Sequence, residues 1–227
     1  MAKVLILFLC FLMAELPLLC RGTEASQEDL RVLDLAEKME SAFKSVQSYT
    51  CQVEQTFFKD GSEDQRSSFS YYFKRDGGIR VDFSHPYSTM TVIHLQGEEK
   101  ATVIPVRTIP LVKFRFSIHD SILKTPAGQR IDQTDIGYFI RFILKNLQST
   151  SQGEADFREN DREVEFSLWA MDYIRGEKIE KYRIQVSRIS WLPTRIERYD
   201  REGSPIEKTV ITDYRINMPL DGKLFHP

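Results

Sequence analysis

The side chains able to do acid–base, nucleophilic or metal chemistry are few in this chain and badly spaced for it. Its four histidines, His85, His94, His119 and His226, are scattered, and none stands in an H-x-x-x-H or comparable ligand spacing. The sequence contains no G-x-S-x-G elbow, no phosphate-binding loop and no G-x-G-x-x-G turn. His94 follows Val92 and Ile93 in a strand-like run, where a histidine reads as a hydrogen-bonded structural residue. His119 and Asp120 could pair as acid and base, but adjacency in a loop sets no geometry. Glu163 and Glu165 share the polar side of a strand and read as a solvated face. The sequence therefore predicts no enzyme, no cofactor and no metal site.

Composition narrows the remaining classes. The chain has 227 residues, with 31 Lys+Arg against 33 Asp+Glu and a formal net charge of −2. This balance argues against nucleic-acid binding, which needs a basic surplus to meet phosphates. With 15 Phe and 9 Tyr and little net charge, disorder is excluded as well. Three cysteines are too few for a disulfide-stapled scaffold. What remains is aromatic surface: Phe57, Phe69, Tyr71, Phe73 and Phe83 recur on neighbouring strand-like runs. They either fill a sandwich core or line a ligand cavity, and composition leaves both open.

The elements that would position these aromatics follow from periodicity. Leu30, Leu33, Ala36, Met39, Phe43 and Val46 recur at three- and four-residue steps, predicting an amphipathic helix after Ser26. From Tyr49 the period changes to two, with Tyr49, Cys51, Val53, Gln55 and Phe57 on one face. Turns at Lys59–Ser62 and Asp76–Gly78, then runs ending near Phe83, Leu95 and Val106, give five strands joined by short connections, hence an antiparallel meander. Residues 107–134 read as a long loop with one short strand near Phe114 and Phe116. A second helix, from Asp135 to Gln148, carries Ile136, Phe139, Ile140, Ile143, Leu144 and Leu147 on one face. A second β run follows through Val164–Leu168, Tyr182–Val186, Trp191–Tyr199 and Ile206–Ile216. The expected fold is mainly β with helices (α+β): one curled antiparallel sheet of ten or eleven strands under helical cover.

Residues 1–25 read as a signal peptide, with Lys3 ahead of the apolar run Val4–Ala14 and small residues Thr23 and Ala25 before a cut at Ser26. Cleavage after Ala14 and acylation of Cys20 stay open as alternatives. Residues 26–227 then form a single domain in which Cys51 is the one cysteine, expected to be buried.

The order of these parts resembles a known family. The segment Ser48-Tyr49-Thr50-Cys51-Gln52-Val53-Glu54-Gln55-Thr56, the hairpin end Phe73-Lys74-Arg75, Ile79-Arg80-Val81-Asp82-Phe83 with Pro86, and the ending Trp191-Leu192-Pro193-Thr194-Arg195-Ile196 with Ile211–Asn217 before Pro219 are similar to the LolA/LolB-like periplasmic lipoprotein carriers and their outer-membrane lipoprotein-sorting relatives. The resemblance covers most of residues 30–220. It implies an incomplete half-barrel of about eleven strands, lidded by helices, with an apolar cavity for a lipid or lipoprotein acyl chains and no catalysis. On that pattern the cavity would be lined by Cys51, Val53, Phe57, Phe69, Tyr71, Phe73, Val81 and Phe83 from the strands. Ile136, Phe139, Ile140 and Ile143 would face it from a movable helix 135–148. Arg75 matches an arginine that latches the lid in this family. The implied partners are a lipid or acylated lipoprotein and inner- or outer-membrane transport proteins, with a monomer as the working state. Two departures are visible. Arg-Pro of the family pattern becomes Arg75-Asp76-Gly77-Gly78, and the section 107–150 is longer and more apolar. The chain is thus nearer the uncharacterised sorting relatives. Alternatives from other classes are an RseB-like envelope sensor binding a protein partner, and a structural interaction protein with a filled core.

Overall fold

The computed structural model describes residues 27–226 apart from 110, 127, 150–155 and 173–177. The expected signal segment, its cleavage sites, Cys20 and the Ser26 cap lie outside the described residues.

The first helix, α1, spans Gln27–Lys44. Its buried stripe is Val32, Leu35, Ala36, Met39 and Phe43, and Val46 follows just beyond the helix end. The stripe is rotated from the expected one at its start, because Leu30 is exposed and Leu33 only half-buried while Val32 and Leu35 turn inward. Five strands and a short sixth then form a meander: β1 (Ser48–Lys59), β2 (Ser62–Lys74), β3 (Gly78–His85), β4 (Thr91–Leu95), β5 (Lys100–Ile104) and β6 (Phe114–Ser117). In β1, Tyr49, Cys51, Val53 and Phe57 are buried while Gln52 and Glu54 are exposed, as the two-residue period requires. Gly78, at φ +126, begins β3 where a Cβ would lie 2.1 Å from the His94 carbonyl oxygen, so only glycine allows β3 and β4 to pair there.

After two 3-10 turns at Ser121–Leu123 and Ile131–Gln133, α2 runs Ile136–Ser149. Asp135 precedes it and accepts from the Tyr138 backbone N–H at 3.0 Å, an N-cap bond. The remaining strands are β7 (Phe157–Glu159), β8 (Glu163–Asp172), β9 (Lys178–Ser187), β10 (Pro193–Tyr199) and β11 (Pro205–Ile216). β10 starts two residues later than the alternation suggested, because Trp191 adopts φ +53 and belongs to the turn. All strand pairs are antiparallel, in one open 11-stranded sheet ordered β6-β5-β4-β3-β2-β1-β11-β10-β9-β8-β7. Two consecutive meanders, β1–β6 and β7–β11, therefore meet along β1 and β11.

The helices occupy one half of the concave face. Val164, Phe166, Leu168, Ala170, Ile184, Val186 and Leu192 are buried in one cluster with the α1 stripe, Ile140 and Ile143. Arg31 lies 5.8 Å from the Phe157 ring and Lys38 5.7 Å from the Trp191 ring, placing α1 over the β7–β10 side. Helix α2 packs between α1 and β8. No helix among the described residues is long and apolar enough to cross a membrane.

Candidate functional site: an apolar cavity under a two-part cover

Over the other half of the sheet the concavity stays open. A cavity of about 590 Å³ lies there, within the range of small-molecule sites. Its floor is the inner face of β1, β2, β3 and β11, with Cys51, Val53, Phe69, Val81, Phe83 and Ile211. Its cover has two parts. One is the flank of α2 that presents Tyr138, Phe139 and Phe142. The other is the segment 121–134, where Leu123 and Ile131 point down and Lys124 bridges to Arg130 in a small hairpin.

Two tyrosines of the floor tie down the junction of these parts. The Ile136 N–H donates to the Tyr49 hydroxyl at 3.4 Å, and the Tyr71 and Thr134 hydroxyls share a hydrogen bond of 3.2 Å. The two rings stack at 5.8 Å. Burial pushes both phenols well above their ordinary pKa, so they stay protonated. Burial likewise pushes the Cys51 thiol up to about 12, which makes it an inert part of the wall. Further along, the buried Asn146 side chain accepts from the Met171 N–H of β8 at 2.9 Å and donates to the Phe142 carbonyl. With Ile140 and Ile143 almost wholly buried as well, α2 is pinned at both ends and along its inner stripe.

The cavity is polar at the end nearest the β1–β2 and β10–β11 turns. Arg198 donates to Glu180 at 3.0 and 2.6 Å and to Glu207 at 2.7 Å, all three side chains being buried. Gln55 donates to Glu207 at 2.7 Å. Burial alone would lower the guanidinium's pKa, and Tyr182, Glu207 and Glu180 beside it more than reverse that. Arg198, Glu207, Gln55 and Thr209 all line the cavity, so its wall grades from aromatic to charged.

Of the residues expected at the site, Cys51, Val53, Phe69, Tyr71, Val81, Phe83, Ile136 and Phe139 do line the cavity. Phe57, Phe73, Ile140 and Ile143 are not among its lining residues. Phe73 instead stacks on Tyr49 at 5.0 Å and leans on Phe43 at 5.9 Å, under the end of α1. Phe57 is buried one row beyond the cavity floor, and Ile140 and Ile143 face the α1–β8 core because the side of α2 toward the cavity is Tyr138–Phe139–Phe142. Arg75 sits at the end of β2 but latches a different helix. Its guanidinium donates to the carbonyls of Phe43 (2.8 Å) and Val46 (2.9 and 2.6 Å), closing the C-terminus of α1 where carbonyls lack helical partners.

Sequence reasoning missed strand β7, too short for a period, and the Glu180–Arg198–Glu207 cluster. The signal for the cluster was present: each of these charges falls on the same face as apolar neighbours, Glu180 with Tyr182 and Ile184, Arg198 with Ile196, and Glu207 with Ile211. The histidines stay outside this chemistry. His94 is buried with its Nε2 2.9 Å from the Glu98 carbonyl oxygen, and His119 and Asp120 are exposed. Among the described residues no three His, Cys, Asp or Glu side chains gather as a metal site.

Fold and site define a class of protein: an open, curled antiparallel sheet that holds an apolar cavity under helical cover. No protein-family model matches the sequence, and no curated protein matches it. Similar solved structures include the following three. One is a DUF1329 family protein from Desulfovibrio piger (11% identity, TM-score 0.47, 88% of this chain and 98% of that one). Another is a putative outer membrane lipoprotein-sorting protein domain from Vibrio parahaemolyticus (12%, 0.43, 87% and 97%). A third is the Mycobacterium tuberculosis lipoprotein LppX (11%, 0.47, 85% and 98%). Each is a likeness of architecture at low identity.

Proposed function

We propose that this chain is a non-catalytic holder and carrier of an amphiphile, a lipid or the acyl chains of a lipoprotein, working in the periplasm after export. The observation that carries the proposal is the cavity of about 590 Å³, whose wall is mostly aromatic and aliphatic although helices fill the rest of the concave face. Burying a chain of ~16 carbons at ~0.8 kcal/mol per CH₂ offers on the order of 12 kcal/mol before costs, enough for capture from water. The aliphatic part would lie along Val53, Phe69, Val81 and Phe83, and the polar head toward the graded end or the mouth.

Release requires a cover that moves. Because α2 is pinned by Asn146, Ile140 and Ile143, the proposed moving part is the segment 121–134, among whose described residues only Leu123 and Ile131 are buried and which is hinged at the Tyr71–Thr134 bond. Organic extracts of protein purified from its native envelope without detergent, read by mass spectrometry, test the proposal. A stoichiometric lipid or lipopeptide is expected. An empty extract together with failed fluorescent fatty-acid titration would favour the protein-partner reading. Phe139→Asp, placing a charge on the cavity wall, is expected to abolish uptake with the circular dichroism spectrum unchanged.

A further inference from the structure

One end of the cavity is built in a way that an acyl chain does not explain. The register of three adjacent strands arranges their inner face in rows. Phe69, Val53 and Ile211 stand side by side across β2, β1 and β11, and the next row toward the β1–β2 turn is Ser67, Gln55 and Thr209. One row further, Gln65 and Glu207 flank Phe57, and Glu207 lies opposite Arg198 of β10. The inner face thus turns from apolar to polar in a single step, on three strands at once, and Ser67, Gln55, Thr209, Gln65, Glu207 and Arg198 all line the cavity. Ser67 has only 6% of its surface exposed, yet its hydroxyl has no hydrogen-bond partner among the described residues, and its open side is the cavity. The side-chain amide of Gln65 has none among them either. An acyl chain laid over these groups would strand them without partners, which is unfavourable.

The bonds already made decide what the remaining groups can accept. Gln55 directs both amide hydrogens at β11, to Glu207 at 2.7 Å and to the Thr209 hydroxyl at 3.4 Å, so its carbonyl oxygen is left for the cavity. The Thr209 hydroxyl in turn donates to Glu207 at 3.2 Å. Arg198 is held by the two carboxylates of Glu180 and Glu207, and the three side chains together keep one net negative charge. A ligand therefore meets an acceptor beside negative charge, and next to it a hydroxyl and an amide that can each donate and accept. A carboxylate or phosphate head only accepts hydrogen bonds and would be repelled. An ammonium head only donates, leaving the Gln65 N–H groups unmatched. A hydroxyl fits both demands, donating to the Gln55 carbonyl and accepting from Ser67 or Gln65. Lys124 also lines the cavity, but it is exposed on the cover, where water screens its charge.

We infer that this end is a headgroup pocket and that the amphiphile it takes has an uncharged, hydroxyl-bearing head, such as that of a monoacylglycerol. The pocket rests on the carrier function proposed above and adds to it the class of ligand and its direction, head at Ser67 and chain along Val53 and Phe69. The test uses the chain from Ser26, which contains every described element, loaded with the neutral fluorescent dye phenylnaphthylamine. Three competitors with the same saturated chain displace it: monododecanoylglycerol, methyl dodecanoate and dodecanoate. The monoacylglycerol is expected to bind about ten-fold more tightly than the other two, because a site arranged to hydrogen-bond a hydroxyl rejects analogues that lack one. Ser67→Ala and Gln65→Leu, each checked for an unchanged circular dichroism spectrum, should bring the ratio between monoacylglycerol and methyl ester down to about two- or three-fold. The ratio is taken within each protein, so a general change in cavity affinity cancels. Equal displacement by all three competitors, tightest binding of dodecanoate, or a ratio that neither variant changes overturns the headgroup pocket and leaves the carrier function standing. Failure of the dye and of all three competitors to bind removes the carrier function, and the pocket with it.

Discussion

Arg198→Met probes whether the polar end of the cavity is dry. The substitution keeps most of the side-chain length but removes three charge-assisted hydrogen bonds, two to Glu180 and one to Glu207. It leaves two carboxylates facing each other with only 2% and 6% of their surfaces exposed and no cation between them. Gln55 still donates to Glu207, which offsets a small part of the loss. Breaking a buried pair by removing one partner costs about 3–5 kcal/mol. For a chain of this size 1 kcal/mol corresponds to about 2–4 °C in Tm, so the melting temperature is expected to fall by roughly 6–20 °C. Calorimetry gives the number, and urea titration at 25 °C gives the free energy independently. The neutral triple variant Arg198→Met/Glu180→Gln/Glu207→Gln should recover most of the loss, because no unpaired charge remains in it. A deficit under about 1 kcal/mol for the single variant would refute the reasoning, since only water reaching the carboxylates through the cavity could screen them so well.

Three further expectations follow from the cover and the wall. Gly137→Ala places a Cβ 2.2 Å from Cε1 of Phe43, whose ring is itself held by Tyr49, Phe73 and Arg75; overpacking should outweigh the better helix propensity and cost about 1–2 kcal/mol, seen as a lowered Tm. Burial raises the Asp135 carboxyl above its ordinary pKa, against the pull of the Tyr138 N–H and Arg141, so the native state binds its proton more tightly than the unfolded chain. That contribution is complete below the unfolded pKa and is lost as pH rises through the folded value. In urea titrations across this range Asp135→Asn, which still caps α2, should therefore gain on the wild type as pH rises; a constant difference would count against it. Cys51, with its thiol pushed up to about 12, should resist alkylation at pH 8 in the folded protein and react promptly once denatured, with bound amphiphile slowing it further.

The sequence carried the strands because their inner faces are strict: Tyr49, Cys51, Val53 and Phe57 alternate with polar residues, and each hairpin has its own turn residues. It could not divide the inner face between cavity and core. Phe69 and Phe73 have the same parity on β2, yet Phe69 lines the cavity while Phe73 is covered by Phe43. What separates them is where α1 lands, a tertiary fact that no period encodes. The same holds on α2. Phe139 and Ile143 both belong to the apolar stripe, but the helix rolls so that Phe139 faces the cavity and Ile143 the α1–β8 core. The latch expected of Arg75 came from the family resemblance, and in the structure its guanidinium donates to the carbonyls of Phe43 and Val46 at the end of α1. The buried charges were readable by parity, as inward positions on β9, β10 and β11, and went unread because charged strand residues usually face water.

The pairing of β1 with β11 also governs how the chain reaches its working state. Gln55 and Glu207 meet across that seam although 152 positions separate them in sequence, whereas every other pair in the sheet joins consecutive strands. Each meander can form from local contacts alone, but zipping the seam must first overcome the closure entropy of a very long loop, which makes it the kinetically expensive step. Before that step both halves expose β1 and β11 as long unpaired edges, open to the wrong neighbour in a crowded compartment. The cavity exists only afterwards, since Val53 and Gln55 come from one half and Ile211 and Thr209 from the other. On the proposed carrier function, an amphiphile lying across the seam would hold the two halves together, and its occupancy would draw the folding equilibrium toward the completed sheet.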